Sequence, residues 1–475
     1  MSDPSPAPAV RRSNWTLAAF AASCLPYAAL GLPVYVTLPE FYASHVGVPL
    51  AAVSLVFLIV RLADIVVDPF LGMVIDRTST RWGRYRVWMA AGAPILMGSV
   101  AMLCFAAQGA SALYLAAWLV VMYLGYSISL LSQMSWASVL SPDYDQRSRI
   151  YGWWQVANIV GVLAVLAIPA IVQGPLGGEY IDAVRAQGWF IIGLLPVALF
   201  FTLRFTPEPL NASPPPHGGL GATLALIAKP VLRRLLISDL LLGCARGLIG
   251  VLFFYFFEQA RGFDREQTSI MLLVYFVAGL VGAPIWAILA TRIGKHMALA
   301  VACVFFAVSF AGATLLVPVG NFPAALGGIF FTGLAFGSGD LLLRAMMADA
   351  SDAVRLEDDA DKTGLLFSIL NATSKMGYAV SVGAFALLEW IGFQAEEGAV
   401  NTPQVIAGLS WLFIAAPAVL LMLTAWVVRK YPLTEDRYLD IQAELATRNG
   451  PSGSDRDDET EIVAVTPLIP DQSKK

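Results

Sequence analysis

Charge is scarce in this chain. Of 475 residues only 13% are Asp, Glu, Lys or Arg, against 57% hydrophobic, whereas a soluble domain carries about 25% charged residues. That excludes an ordinary soluble domain, and the net charge of −4 offers nothing to a nucleic acid. Cysteine is scarce and scattered: Cys24, Cys104, Cys244 and Cys303 lie inside apolar runs with no paired spacing, and read as small hydrophobes, not disulfides or ligands. His45, His217 and His296 fall far apart, so no metal cluster is expected. A Walker loop is missing, which removes ATP-driven chemistry, and with no Ser/His/Asp constellation the chain does not read as an enzyme. Alternation at period two is absent, which excludes a membrane β-barrel.

Long apolar runs are abundant. Crossing a hydrocarbon core takes about 20 helical residues, and roughly twelve stretches qualify, at about 15–43, 49–75, 87–108, 111–140, 150–173, 187–204, 234–260, 266–290, 297–317, 321–350, 363–392 and 403–428. The first follows a polar, Pro-rich start and lacks a small-residue cleavage site, so it is expected to remain as a span, not to leave as a signal peptide. Of the 30 Lys and Arg, about 23 fall in the tails and the loops after even-numbered spans, roughly three (Arg185, Arg261, Arg265) in the opposite loops and four within spans. Basic loops stay in the cytoplasm, so both termini are expected there.

The polar break "TPEPLNASPPPHGGLGAT" divides the spans into six plus six. The expected organisation is an N-terminal bundle over 1–205, a cytoplasmic linker over 206–233, a C-terminal bundle over 234–428 and a partly disordered tail over 429–475. The piece "LALIAKPVLRR" reads as interfacial, and "RKYPLTEDRYLDIQAELATRN" as a short amphipathic helix. The loop "GMVIDRTSTRWGRYR" after span 2 is echoed by "ILATRIGKH" after span 8. Two similar halves around a linker are the pattern of transporters with a midplane site.

Against that background "RLADIVVDPF" stands out. Arg61, Asp64 and Asp68 fall at i, i+3 and i+7, hence on one helix face, and charge inside a span is by default functional. Two carboxylates so close repel when both are ionised unless a cation lies between them. The following loop, with Gly72, Asp76, Arg77, Arg84 and Arg86, resembles the gating loop of the major facilitator superfamily. The whole run "RLADIVVDPFLGMVIDRTSTRWGRYRVW", with "SPDYDQRSR", "KTGLLFSILNATSKMGYA" and "YPLTEDR", closely resembles the glycoside-pentoside-hexuronide:cation symporter family, of which melibiose permease is a member.

That resemblance implies an all-α membrane protein with twelve transmembrane helices in two pseudo-symmetric six-helix bundles. It also implies that Asp64 and Asp68 bind the coupling cation, that Ser129 stands for the family's helix 4 hydroxyl, and that Lys375 of span 11 lies beside them. Asp64 and Asp68 would hold sodium if sodium is used. Val67 replaces an asparagine common in sodium-using members, which leaves sodium and proton both open. The sugar determinants are altered: Ala29, Ser132 and Ala157 fall where melibiose permease has two aspartates and an arginine, while Trp136 matches its stacking tryptophan.

Other polar residues within spans are candidate substrate ligands: Tyr27, Arg61, Gln133, Gln155, Asn158, Arg246, Asp340, Arg344 and Asn371. Asp340 and Arg344 are four apart and fit a mutual pair. Arg246 has no acid at helical spacing, so it faces a cavity or meets another helix. Asp239 lies towards the end of span 7, where solvation is as good an account as function. The expectation is a secondary active symporter in a bacterial inner membrane, monomeric, with no cofactor beyond its coupling ion, taking a glycoside, uronide or related acid. An amphiphile such as a lysolipid is the alternative on the same fold, and a non-transporting membrane sensor or assembly factor is the alternative of another class.

Overall fold

The computed structural model describes residues 12–141, 143–173, 175–208, 225–381, 383–393 and 401–448. Most of the expected linker, His217, positions 213 and 397, and the tail from 449 onward lie outside these residues. Every regular element described is helical. Among the described residues, nine helices are long and apolar enough to cross a membrane: span 3 (Tyr85–Cys104), span 4 (Ala112–Val139), span 5 (Tyr144–Gln173), span 6 (Tyr180–Phe205), span 7 (Pro230–Tyr255 and a π-turn to Ala260), span 8 (Arg265–Ile293), span 9 (Lys295–Leu315), span 10 (Phe322–Gly333 and Ser338–Asp358) and span 12 (Pro403–Arg429). Span 1 (Asn14–Ala22, Cys24–Leu32 and shorter turns to Val46), span 2 (Leu50–Arg77) and span 11 (Thr363–Ser381 and Gly383–Trp390) complete the set. A tail helix, Glu435–Arg448, follows.

The irregularities have local causes. Span 1 carries Pro26, Pro33 and Pro39, each lacking an N–H and crowding the carbonyl four residues back, and it widens into π-turns at Pro33–Thr37 and Tyr42–Val46. Thr202 of span 6 bridges its first break: the hydroxyl accepts the Ser23 N–H at 3.3 Å and donates to the Ala19 carbonyl at 2.8 Å. Span 10, expected as one helix ending near 350, is interrupted at 334–337 and runs on to Asp358. Trp286 of span 8 satisfies the interruption by donating to the Leu334 carbonyl at 2.7 Å. Gly282 makes that contact possible, because a Cβ there would overlap the same carbonyl. Span 7 starts at Pro230, a first-turn position where proline is preorganised. The expected interfacial piece is therefore partly the start of a span.

The two halves pair by one scheme. In the first, spans 1–5, 1–6, 2–4, 3–4 and 3–6 are in contact; in the second, 7–11, 7–12, 8–10, 9–10 and 9–12. Adding six to each number maps one set onto the other, which is the pseudo-twofold of two equivalent bundles. The bundles meet through 2–11 and 5–8, and through 5–10 and 4–11, again related by the same operation. Small residues allow the closest of these crossings. The loops after even-numbered spans, residue 12 and the tail helix gather on one face, which we call the basic face.

Candidate functional site

Midway along span 2, Asp64 and Asp68 turn towards span 11 and are buried, while Val67 is on the outer surface of the bundle at 38% exposure. The Lys375 ammonium lies 2.5 Å from Asp64 Oδ2 and 2.7 Å from Asp68 Oδ2. Asn371, one turn earlier on span 11, donates to Asp68 Oδ2 at 2.6 Å. Asp68 Oδ1 is buried with no hydrogen-bond partner among the described residues. Val67 thus contributes nothing to the site in this conformation, whatever the neighbouring position does elsewhere.

The hydroxyl at the site is Ser127, which donates to Asp64 Oδ1 at 3.1 Å. Ser129, the expected residue, donates to the Gly125 carbonyl of its own helix at 2.8 Å and packs against Gly92 of span 3. Two residues along a helix rotate a side chain by about 200°, so only one of the two serines can face span 2. Arg61 is half-buried one turn before Asp64; it is Lys375, from the other bundle, that bridges the two carboxylates.

A second charged group lies in the C-terminal bundle. Asp340 of span 10 pairs with Arg344 at 2.7 Å and, very closely, with Arg246 of span 7. Arg246 therefore meets another helix, resolving the choice its spacing left open. The Arg344 guanidinium lies 4.5 Å above the Trp154 ring of span 5, a cation–π contact between bundles. Asp239, far from being solvated, is buried and accepts from Thr373 at 2.7 Å and from Ser374 at 2.7 and 2.9 Å.

The other candidates divide. Tyr27 and Ser132 are buried with hydroxyls that have no hydrogen-bond partner among the described residues, and the same holds for both amide atoms of Gln155. Asn158 approaches Cys24 Sγ at 3.9 Å. Gln133 is consumed internally: it donates to Ser23 Oγ at 2.7 Å and accepts from the Trp154 indole at 3.2 Å, pinning spans 1, 4 and 5. Trp136 is fully buried near the basic end of span 4, donates to the Pro207 carbonyl at 3.1 Å and lies under Arg86 at 5.5 Å. The structure thus separates it from Tyr27, Asn158 and Arg246, because its position three residues before the end of the helix puts it below the midplane.

At the basic face the expected gating residues split in the same way. Asp76 accepts the N–H groups of Gly364 at 2.6 Å and Leu365 at 2.8 Å, capping the positive end of span 11. Gly72 lies so close to Gly364 that a Cβ would come 2.5 Å from its carbonyl. Arg84 pairs with Asp361 at 2.7 Å. Burial works to lower the Arg84 pKa, but neighbouring Tyr85, Asp361 and Asp76 outweigh it and hold it raised, so this guanidinium stays charged. Arg86 instead stays within its bundle, donating to the Thr206 carbonyl at 2.5 Å, and Arg77 is exposed.

A further closure escaped sequence reasoning. Arg147 of span 5 pairs with Asp349 at 3.1 Å and Asp352 at 2.6 Å of span 10, and Lys295 of span 9 reaches Asp349 at 2.6 Å. Gln442 and Tyr438 of the tail helix donate to Asp352 at 2.8 and 3.3 Å. The signal was present only as charge within "SPDYDQRSR" and "MADASDAVR"; nothing in either segment names its partner some 200 residues away.

Two pseudo-symmetric bundles meeting at buried, oppositely charged residues define a secondary transporter of the major facilitator fold. The chain belongs to the family described as MFS/sugar transport protein, which matches residues 19–435, and its motifs place it among the glycoside-pentoside-hexuronide:cation symporters; it is not an enzyme. It is similar to the glucuronide carrier protein homolog of Escherichia coli K12, with 24% identity over 86% of this chain and 90% of the relative. The inner membrane symporter YicJ of the same organism is 26% identical over 86% and 89%. Sodium-dependent lysophosphatidylcholine symporter 1 of Xenopus tropicalis is 23% identical over 88% and 87%. Among solved structures, the E. coli fucose:proton symporter aligns with a TM-score of 0.65 at 14% identity, over 88% of this chain and 98% of that one, a likeness of fold.

Proposed function

We propose that this protein is a cation-coupled symporter that takes a small organic solute, a glycoside, uronide or related acid, across a bacterial inner membrane by alternating access, with both termini cytoplasmic. The observation that carries this reading is the Lys375 ammonium lying between Asp64 and Asp68. Leaving a buried ion partner uncompensated costs about 3–5 kcal/mol, more than the roughly 1–3 kcal/mol of a typical coupling between sites. The carboxylates are therefore held either by the lysine of the opposite bundle or by a transported cation. A sodium ion or proton that displaces Lys375 loosens the 2–11 contact, and the change of access follows. With the basic face latched by Asp76, Arg84 and Arg147, the conformation described is closed to the cytoplasm.

The glycoside reading is supported by the names of the Escherichia coli relatives and by the family description. A lysolipid is the second reading, favoured by the near-equal similarity to the Xenopus protein over almost the whole chain. The test is uptake into proteoliposomes of paired neutral and acidic glycosides and of lysophosphatidylcholine, each under an imposed sodium gradient and an imposed pH gradient. Gradient-driven accumulation of a glycoside or uronide is expected. Accumulation of the lysolipid alone would transfer the assignment to the second reading, and no response to either gradient would remove cation coupling.

A further inference from the structure

Arg246 uses one corner of its guanidinium, Nη1, on Asp340, and Arg344 likewise uses Nη1. Arg246 Nε and Nη2, and Arg344 Nε, are buried with no hydrogen-bond partner among the described residues. On Arg246 these two atoms form the side edge of the fork, the edge that matches both oxygens of a carboxylate. A buried guanidinium edge left unpaired is expensive. Three residues before Asp340, Gly337 packs closely against the side chain of Gln155 of span 5, an amide buried with neither atom partnered among the described residues, and Arg344 is stacked over the aromatic face of Trp154. The Asp340 side chain is 22% exposed, against 5% for Arg246 and 12% for Arg344, so the group borders solvent-reachable space at its carboxylate while the free arginine edges are covered.

Charge balance leads to the same ligand. Among the described residues, the middle of the spans carries four cations, Arg61, Arg246, Arg344 and Lys375, and four carboxylates, Asp64, Asp68, Asp239 and Asp340. Asp239 is already engaged by the hydroxyls of Thr373 and Ser374. The array is neutral with all eight ionised, so one coupling cation taken up at Asp64 and Asp68 leaves a single positive charge in a low-dielectric interior, where it is costly. A solute carrying one negative charge restores neutrality, and the unpaired arginine edges are where hydrogen bonds await it.

From this we infer that Arg246 and Arg344, positioned by Asp340, form a subsite for a carboxylate group of the solute, and that cation and solute cross together without net movement of charge. The inference rests on the symporter reading and narrows its substrate class to monoanionic solutes, among which uronides fit best. Asp340 is a positioning residue here, not a ligand.

The experiment compares methyl β-glucuronide with methyl β-glucoside, and the galacto pair likewise, for binding to the purified full chain by calorimetry, with sodium and at two pH values. The acidic member of at least one pair is expected to bind about tenfold or more tightly than its neutral partner. Arg246→Lys, which keeps the charge and loses the fork, should erase most of that preference; Arg344→Lys should do so in part. Asp340→Asn, should it fold poorly, is not needed for the decision. In proteoliposomes, uptake of the acidic solute should be insensitive to a potassium–valinomycin potential. Equal binding within each pair, binding of neutral members only, or no binding at all would each overturn the subsite, and potential-driven uptake of the acid would overturn the electroneutral crossing. Loss of acid preference with gradient-driven accumulation intact defeats the subsite alone; acid binding without accumulation under any gradient defeats the symporter reading instead.

Discussion

Asp64, Asp68 and Lys375 form a three-centre arrangement in which the charge of both carboxylates is compensated by the opposite bundle, so the pairing holds only while the two bundles touch. Removing the lysine removes the competitor but not the carboxylates. Lys375→Ala is therefore expected to raise apparent cation affinity, read in thermal-shift titrations as a lower sodium midpoint or as a pH midpoint moved to higher pH, while the cation-free protein loses stability by about 3–5 kcal/mol. Unchanged cation affinity would mean that the lysine is a bystander. The serines give a finer test. Ser127→Ala should weaken sodium binding by about tenfold or more, because Asp64 loses a hydrogen bond worth about 1.5–3 kcal/mol to a charged group; Ser129→Ala should leave it unchanged. The reverse order would place Ser129 in the site. At this scale the sequence was partly legible. The spacing of Asp64 and Asp68 dictates a shared face, and the lysine came with the family resemblance, but Ser127 and Ser129 differ only in helix rotation, which no motif records. Trp136 misled for a related reason: alignment supplies a position along the chain and says nothing of depth in the bundle.

Span 11 is the element that joins the sites. Asn371 and Lys375, at i and i+4, face the N-terminal bundle, while Thr373 and Ser374 hold Asp239 of span 7. A shift of this helix therefore moves the Asp64–Asp68–Lys375 group and the C-terminal charge group together. Its first turn is fixed by Asp76 and by the close approach of Gly72 to Gly364. Gly72→Val forces a Cβ and two methyls into that carbonyl, so the latch cannot close as described. A cysteine at the Gly364 end of span 11 should then become reactive to a cytoplasmic thiol reagent at least several-fold faster than in the unsubstituted protein, with gradient-driven uptake reduced. No change in reactivity would show that the latch does not govern access. The spans themselves were readable from hydropathy, because a lipid environment demands long apolar helices. Their interruptions were not: the break at 334–337 depends on Trp286 from another helix, and the Arg147–Asp349–Lys295 closure on three segments that meet only in the folded bundle.

At the scale of the whole molecule, the matched pairings of the two halves are what the proposed alternating access requires. The crossings 2–11 and 5–8 are related by the pseudo-twofold, so rocking about their midplane opens one face as it closes the other. Orientation follows from charge: in a variant without native cysteines, Ser213→Cys and Glu397→Cys should label from opposite sides, position 213 from the cytoplasm. Labelling of both from outside would invert or break the proposed topology. The account stands most directly on one comparison, gradient-driven accumulation against solute exchange at equilibrium, in Asp64→Asn and Asp68→Asn proteoliposomes. If the carboxylates couple cation to solute, Asp68→Asn abolishes uphill accumulation while retaining measurable exchange, and Asp64→Asn lowers accumulation by at least tenfold. Full gradient-driven accumulation in both variants would reduce the carboxylates and Lys375 to a structural salt bridge and contradict the mechanism.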